Sequence, residues 1–236
     1  MEIKNKLVRT GMTAVFMAVV FGAFSVGSVH AQGGVLKTIL DRLDAHYKGL
    51  SSLESDVTLV KYNSQIEKSD TSVGTTNYLP KTPKRAMYVR IDWTKPVNES
   101  IVVIGESYKM YRPALKQVIT GKSSGSKNAK VPGNALAFLS MSKAQLQANY
   151  TVTYIGEEQI QGGGKTWHIL MTPKTATSYK TAELWVDGDG MPRQAKINEN
   201  NGDTTTILLS NIQKNITISA EKFKLSYPSD TKEVKG

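Results

Sequence analysis

The stretch MYVRIDW at residues 87–93 alternates between side chains of a dry face and side chains of a wet face. Successive side chains of a β-strand point to opposite faces of the sheet, so this spacing predicts a strand with one buried face. Four apolar residues share that face, namely Met87, Val89, Ile91 and Trp93. The stretch therefore indicates a sheet that covers an apolar interior.

The same period of two continues on both sides of this stretch. Strands are predicted at 57–62, 72–79, 100–104, 108–111, 117–120, 150–155 and 166–172. Two later pairs, 183–186 with 194–197 and 196–199 with 204–210, flank the turn signals DGDG and NNGD. Apolar residues three and four apart predict one amphipathic helix over 35–50. We expect a mainly β fold with a few helices, built on a meandering antiparallel sheet.

A basic glycine- and serine-rich loop at 121–133 interrupts the strands. Asn134 then starts a short apolar segment, and Ser142 to Gln145 fits a capping box that opens a helix ending at Asn149. This arrangement predicts a lid made of Leu136, Phe138, Leu139 and Met141. An ordinary helix that covers the core is the alternative.

The N-terminus has the pattern of a secretory signal. Lys4, Lys6 and Arg9 precede an apolar run over 12–29, which closes on Val29-His30-Ala31. Glycine and serine residues break this run short of the roughly 20 residues that a membrane-spanning helix needs. We expect residues 1–31 to be removed, leaving 32–236 as one domain that is soluble and freely diffusing in a periplasm.

Charge and cysteine content narrow the class of partner. The chain has 30 basic and 20 acidic residues, and removal of three basic and one acidic residue with the signal leaves a net charge of +8. This charge favours acidic partners or anionic headgroups, but the lysines are scattered between strands, so we expect no nucleic acid. Without cysteine there are no disulfides and no thiol for acylation of the chain itself.

Side chains for catalysis are few. After the signal the histidines are His46 and His168, and neither has the spacing of a zinc site. No acid, base and nucleophile converge in the sequence. We expect neither a metal nor a cofactor, and we expect the protein not to be an enzyme.

Short motifs follow one another in a defined order along the chain. The series runs from the helix at 36–50 to Val234, nearly the whole mature chain. Its members include KTPKR at 81–85, VIG at 103–105, YRP at 111–113, LWVD at 184–187, NGDTTT at 201–206, LSNI at 209–212 and YP at 227–228. This order resembles that of the LolA-type periplasmic carriers of outer-membrane lipoproteins, and the order carries the resemblance because no single piece is specific.

The resemblance implies an unclosed antiparallel barrel with helices over its mouth and a hydrophobic cavity that holds acyl chains. It also implies a monomer that an inner-membrane exporter loads with acylated lipoproteins and an outer-membrane receptor unloads. A curved sheet with one apolar face would line the cavity with Val57, Leu59, Met87, Val89, Ile91, Trp93, Ile101 and Val103. We predict that acyl chains bind against these eight residues.

One position departs from the family pattern. Thr82 stands before the proline where the family often has an arginine, which is tied to holding the lid and releasing cargo. Lys81, Lys84 or Arg85 could substitute, although a lysine lacks the bidentate fork of an arginine. Two alternatives keep the fold and change the role: a carrier of another amphiphile such as a glycolipid or phospholipid, and an RseB-like module that senses lipoproteins.

Overall fold

The computed structural model describes residues 29–122, 141–162 and 164–236. These residues form one twelve-stranded sheet, two α-helices and two short 3-10 helices. The α-helices are α1 (Val29–Gly49) and α2 (Lys143–Asn149), and the 3-10 helices are Pro113–Leu115 and Ala220–Phe223. The strands are β1 (Leu53–Asn63), β2 (Lys68–Leu79), β3 (Tyr88–Lys95), β4 (Glu99–Ile104), β5 (Ser107–Arg112), β6 (Gln117–Lys122), β7 (Tyr150–Gln159), β8 (Lys165–Pro173), β9 (Tyr179–Val186), β10 (Pro192–Glu199), β11 (Thr204–Lys214) and β12 (Lys232–Lys235).

The sheet is curved and unclosed. Its strands are neighbours in the order β12-β6-β5-β4-β3-β2-β1-β11-β10-β9-β8-β7, and β12 and β7 form its two ends. The expected mainly β fold with an unclosed antiparallel sheet is therefore confirmed. One strand was missed: β12 pairs with β6 in parallel, and its residues KEVK are too polar and too few to indicate a strand.

Alternation along the strands gives the sheet two distinct faces. We call the face that packs against α1 and α2 the inner face, and the opposite one the outer face. The inner face carries the main apolar cluster, to which almost every strand contributes. The buried side chains Ile91, Met110 and Leu184 are typical members. A single core therefore lies between the sheet and the two helices.

Both helices follow local rules that the sequence contains. Ile39, Leu40 and Leu43 form the buried stripe of α1. The helix begins at Val29, six residues before its predicted start, so that boundary was wrong. The capping box of α2 is confirmed: the Ser142 hydroxyl accepts from the Gln145 N–H at 3.3 Å, and the Gln145 side-chain oxygen accepts from the Ser142 N–H at 2.9 Å.

A smaller apolar cluster lies on the outer face. Phe223, from the segment after β11, packs there against Leu79 and Val102, with its ring centroid 5.3 Å from that of Tyr88. The chain end then adds β12 to the sheet edge. Of the helices in the described ranges, neither combines the length and the apolar character that crossing a membrane requires.

Candidate functional site

The eight residues predicted to line a cavity come together on the inner face. Seven of them are buried, and Met87, which directly precedes β3, is half-buried against the same cluster. Strand pairing explains this, because Val89 lies opposite Val103, and Ile91 lies opposite Ile101. Residues that are distant in sequence therefore belong to one continuous apolar cluster, which also includes the buried residues of α1 and α2.

Helix α1 is held on the inner face by contacts with the β9–β10 turn and with Trp167. At the β9–β10 turn, Gly190 has a φ of +82°, and a Cβ there would lie 2.2 Å from the backbone oxygen of Arg42. The Arg42 guanidinium donates to the Gly188 carbonyl at 2.6 Å and lies 5.1 Å from the centre of the Trp167 ring. The glycine-containing turn that the sequence indicated thus packs closely against the backbone of α1.

Helix α2 is held to α1 by polar side chains. The Lys143 ammonium of α2 donates to the Asp41 carboxylate of α1, and Lys37 donates to the same carboxylate at 2.8 Å. The hydrogen bond from Lys143, followed by that from Lys37, lowers the pKa of Asp41 to about 2. We call Asp41, Lys37 and Lys143 the clasp. Lys37 and Asp41 are exposed and Lys143 is half-buried, whereas α1 is held at Gly190 by a close backbone contact.

The predicted lid is described in part. Met141 is half-buried and packs against the main cluster, next to the fully buried Leu146 of α2. Leu136, Phe138 and Leu139 lie outside the described residues. The lid thus stays a prediction.

The basic loop between β2 and β3 lies at the rim of the sheet. Lys81, Thr82 and Lys84 are exposed. Arg85 is half-buried and folds back on its own loop: its backbone pairs with that of Thr82, and its guanidinium donates to the Pro80 carbonyl at 3.3 Å. A role for these cations in cargo release stays a prediction.

The inner face also contains polar side chains that sequence reasoning missed. Glu99 is 6% exposed and forms an ion pair with Arg112, with Oε1 and Nε 3.2 Å apart. Trp93 lies directly opposite Glu99, and its indole nitrogen is buried. Glu99 and Arg112 are in phase with the inward-facing residues of their strands. This spacing was the one sequence signal that could have placed them on the inner face.

The outer face is organised by oriented hydrogen bonds. Arg90 donates to both carboxylate oxygens of Asp92, at 2.7 and 3.0 Å, and to the backbone carbonyls of Lys222 and Lys224 at 2.7 and 3.3 Å. Arg90 thereby fastens the segment after β11 across β3. The alternation pattern did not predict this contact.

A second outer network surrounds His168. Its two ring nitrogens face Glu158 and Glu183 at 2.9 and 2.8 Å, and its ring stacks on Trp185 at 4.2 Å. The Trp185 indole N–H donates to Glu158 at 2.7 Å, and this bond lowers the pKa of the Glu158 carboxyl. Each polar group of this network is satisfied by a neighbour, as expected of a structural network.

Comparison with known proteins identifies the family. Residues 82–226, more than half of the chain, match the family described as outer membrane lipoprotein carrier protein LolA. The chain belongs to the LolA family. The resemblance drawn from the ordered motifs is therefore confirmed.

Two relatives in sequence agree with this membership. The outer-membrane lipoprotein carrier protein of Dechloromonas aromatica (strain RCB) is 25% identical over 191 residues, covering 80% of this chain and 84% of that protein. The carrier protein of the same name from Methylobacillus flagellatus is 24% identical over 202 residues, covering 86% and 88%.

Among solved structures, an uncharacterized conserved protein of Thermus thermophilus has a TM-score of 0.54 at 14% identity, covering 86% of this chain and 99% of that one. MucB has a TM-score of 0.53 at 14% identity, covering 82% of this chain and 63% of its own. At such identities the likeness extends to the fold alone.

Proposed function

We propose that this LolA-family protein is a lipoprotein carrier that binds acyl chains against the inner face of its sheet. The observation that carries the proposal is the continuous apolar cluster that the inner face forms with α1 and α2, built from strands distant in sequence. Family membership and the carrier relatives support the same role.

An acyl chain needs a surface of this kind to cross water. Each buried methylene is worth about 0.8 kcal/mol, so a long chain gains on the order of 10 kcal/mol when it is fully sheltered. A flat patch would leave half of the chain wet. The covering residues would move aside to admit the acyl chain, which would then lie between the curved apolar sheet and the helices.

The two helices differ in how readily they would move. Helix α1 makes a close backbone contact with the β9–β10 turn, whereas α2 is joined to α1 by the partly exposed ion pairs of the clasp. Exposed ion pairs contribute little to stability, so α2 and the adjoining Met141 are the cover that cargo displaces. We propose that the predicted lid residues Leu136, Phe138 and Leu139 belong to the same cover.

The proposed setting is the periplasm. Residues 1–31 would be removed on export, leaving a monomer that begins at Gln32. An inner-membrane exporter would load the carrier, and an outer-membrane receptor would unload it. The basic loop at 81–85 is the surface that we propose to control release at the receptor.

Mass spectrometry of the protein purified from the periplasm of its own host tests cargo and processing together. We expect an intact mass that begins at Gln32 and copurifying acylated lipoproteins. Free phospholipid or glycolipid without lipoprotein would instead identify a carrier of another amphiphile. An intact mass that retains residues 1–31 would contradict the proposed processing.

A matched pair of variants tests the binding face. Val102 and Val103 are adjacent on β4 and similarly buried, at 5% and 8% exposure, but Val103 belongs to the inner cluster and Val102 to the outer one. Val103→Asn places an amide in the proposed path of the acyl chain and should weaken binding of a fluorescent fatty-acyl probe about tenfold or more. Val102→Asn should leave probe affinity within about twofold of the parent.

Equal affinities in the two variants would contradict the proposed binding face. Because both substitutions destabilise the fold, affinity is measured at a temperature at which circular dichroism shows each variant to be folded.

A further inference from the structure

Strand pairing arranges the inner face of β3 to β6 in cross-strand rows. Two rows are apolar or aromatic: Val89, Val103 and Tyr108 form one, and Ile91, Ile101, Met110 and Ile119 form the next. The third row, at the end of β3, contains Trp93, Glu99, Arg112 and Gln117. We call this third row the polar row.

The polar row is buried at its centre. Glu99 is 6% exposed and its ion pair with Arg112 is largely withdrawn from water, a placement that is unfavourable unless other groups compensate. Because the two neighbouring rows carry no charged side chain, this placement indicates that the row serves something besides packing.

The indole N–H of Trp93 provides the second, independent observation. Trp93 is 4% exposed and belongs to the inner cluster, and its Nε1 atom is fully buried without an acceptor in the described ranges. A buried donor with no partner is rare and destabilises the fold. By contrast, the similarly buried Trp185 on the outer face donates to Glu158 at 2.7 Å. The free donor therefore points to an acceptor that arrives with a ligand.

The neighbouring rows define what that acceptor is. A ligand that covers the two apolar rows with a hydrocarbon chain would place the head of that chain at the polar row. The first polar atom at the head of an acyl chain is the carbonyl oxygen of its ester or amide, which accepts hydrogen bonds and cannot donate. It is therefore matched to an indole N–H and not to the Glu99 carboxylate.

We propose that Trp93 recognises the acyl carbonyl of the cargo through its indole N–H, with the Glu99–Arg112 pair holding the polar end of the binding face in place. This inference rests on the proposed function and deepens it, because it makes the protein selective for acyl over alkyl chains. The shared chemistry is an ester or amide carbonyl at the head of an acyl chain, which either a lipid or an acylated peptide can supply.

Two matched ligand pairs test this selectivity. The first is 1-palmitoyl-lysophosphatidylcholine against its ether analogue 1-O-hexadecyl-lysophosphatidylcholine, which differ by the carbonyl. The second is an N-acetylated peptide with O-palmitoyl-serine against the same peptide with O-hexadecyl-serine, which carry the same charge and likewise differ by the carbonyl. We expect the full-length parent to bind the carbonyl member of at least one pair about tenfold more tightly, in competition with a fluorescent fatty-acyl probe. The pair with the larger ratio identifies the source of the chain.

The Trp93→Phe variant keeps a ring and removes the donor. It should lose the carbonyl preference, binding both members of a pair with the affinity of the parent for the alkyl member. Without ligand its melting temperature should stay the same or rise, because an unpaired buried donor has been removed. Trp185→Phe is the matched control: it should melt earlier and keep the parental preference.

A spectroscopic readout covers the case in which Trp93→Phe does not fold. In the parent labelled with ¹⁵N-tryptophan, the Trp93 indole resonance should shift downfield with the carbonyl ligand and much less with its alkyl analogue. Equal binding within both pairs, or an indole resonance that responds equally to both members, would overturn the inference while leaving acyl-chain binding intact. Failure of the parent to bind any of the four ligands would overturn the proposed function itself, and the inference with it.

Discussion

The two faces of the sheet use the same strands for opposite purposes. On the inner face the contacts are almost entirely apolar, and packing of this kind has no fixed direction. On the outer face the contacts around Arg90 and His168 are hydrogen bonds with defined donors and acceptors. A surface that must exchange its cover for cargo benefits from contacts without direction, whereas a surface that must stay assembled benefits from oriented ones.

The largest loss of stability should follow from a substitution at Arg90, on the outer face. The Arg90→Leu variant loses the paired bonds to Asp92 and the bonds to the carbonyls of Lys222 and Lys224, and it leaves the half-buried Asp92 carboxylate without its cation. We expect the free energy of unfolding in urea to fall by about 2–3 kcal/mol. Limited trypsin digestion should then cut first after Lys222 or Lys224, because the segment after β11 is no longer fastened.

Ser100→Ala is the control for this variant, since Ser100 donates a single bond to Asp92 at 2.6 Å and its side chain has no hydrogen bond to the described residues after β11. It should cost about 1 kcal/mol and leave the digestion pattern unchanged. If Arg90→Leu instead weakened binding of the acyl probe while the segment after β11 stayed protected from trypsin, the proposed difference between the two faces would be wrong.

A smaller effect is expected from Trp185→Phe, which removes the indole bond to Glu158 and keeps a ring beside His168. The folded-state pKa of Glu158 lies below its ordinary 4.5, so this carboxylate stabilises the fold above about pH 4.5, and the contribution is lost as pH falls through the folded pKa. Trp185→Phe should therefore cost about 1 kcal/mol at pH 7, limited by the half-exposed carboxylate, and less at pH 3. Urea unfolding at both pH values measures this; a cost that does not shrink in acid would show that the indole bond does not stabilise the Glu158 carboxylate.

Most residues of the inner face could be predicted from the sequence, whereas few contacts of the outer face could. Alternation is a local signal, so MYVRIDW was enough to place Val89, Ile91 and Trp93 on a buried face. The bond from Arg90 to Lys222 joins residues far apart along the chain, and no local pattern encodes such a pairing. The same reason applies to β12, which forms because β6 offers an open edge. The polar row escaped notice because its members become neighbours through strand register.

The smallest expected effect concerns the clasp, which joins the two helices over the inner face. Lys143→Gln removes the cation of α2 that pairs with Asp41 and leaves the Lys37 bond within α1. Exposed ion pairs contribute little, so hydrogen exchange of the α2 amides should speed up on the order of two- to fivefold, with little change in global unfolding. The Lys37→Gln variant, which removes the partner within α1, should leave α2 exchange at the parental rate.

Acid should loosen the clasp in the parent protein as well. The folded-state pKa of Asp41 is about 2, below the ordinary value of 3.8, so its contribution is complete above about pH 4 and disappears as pH falls through 2. Faster α2 exchange, corrected for the intrinsic pH dependence of exchange, should therefore set in between these values and be absent in Lys143→Gln. If α2 instead opened only together with α1 in every variant, the two helices would form one unit, and the cover over the inner face would not open from the α2 side.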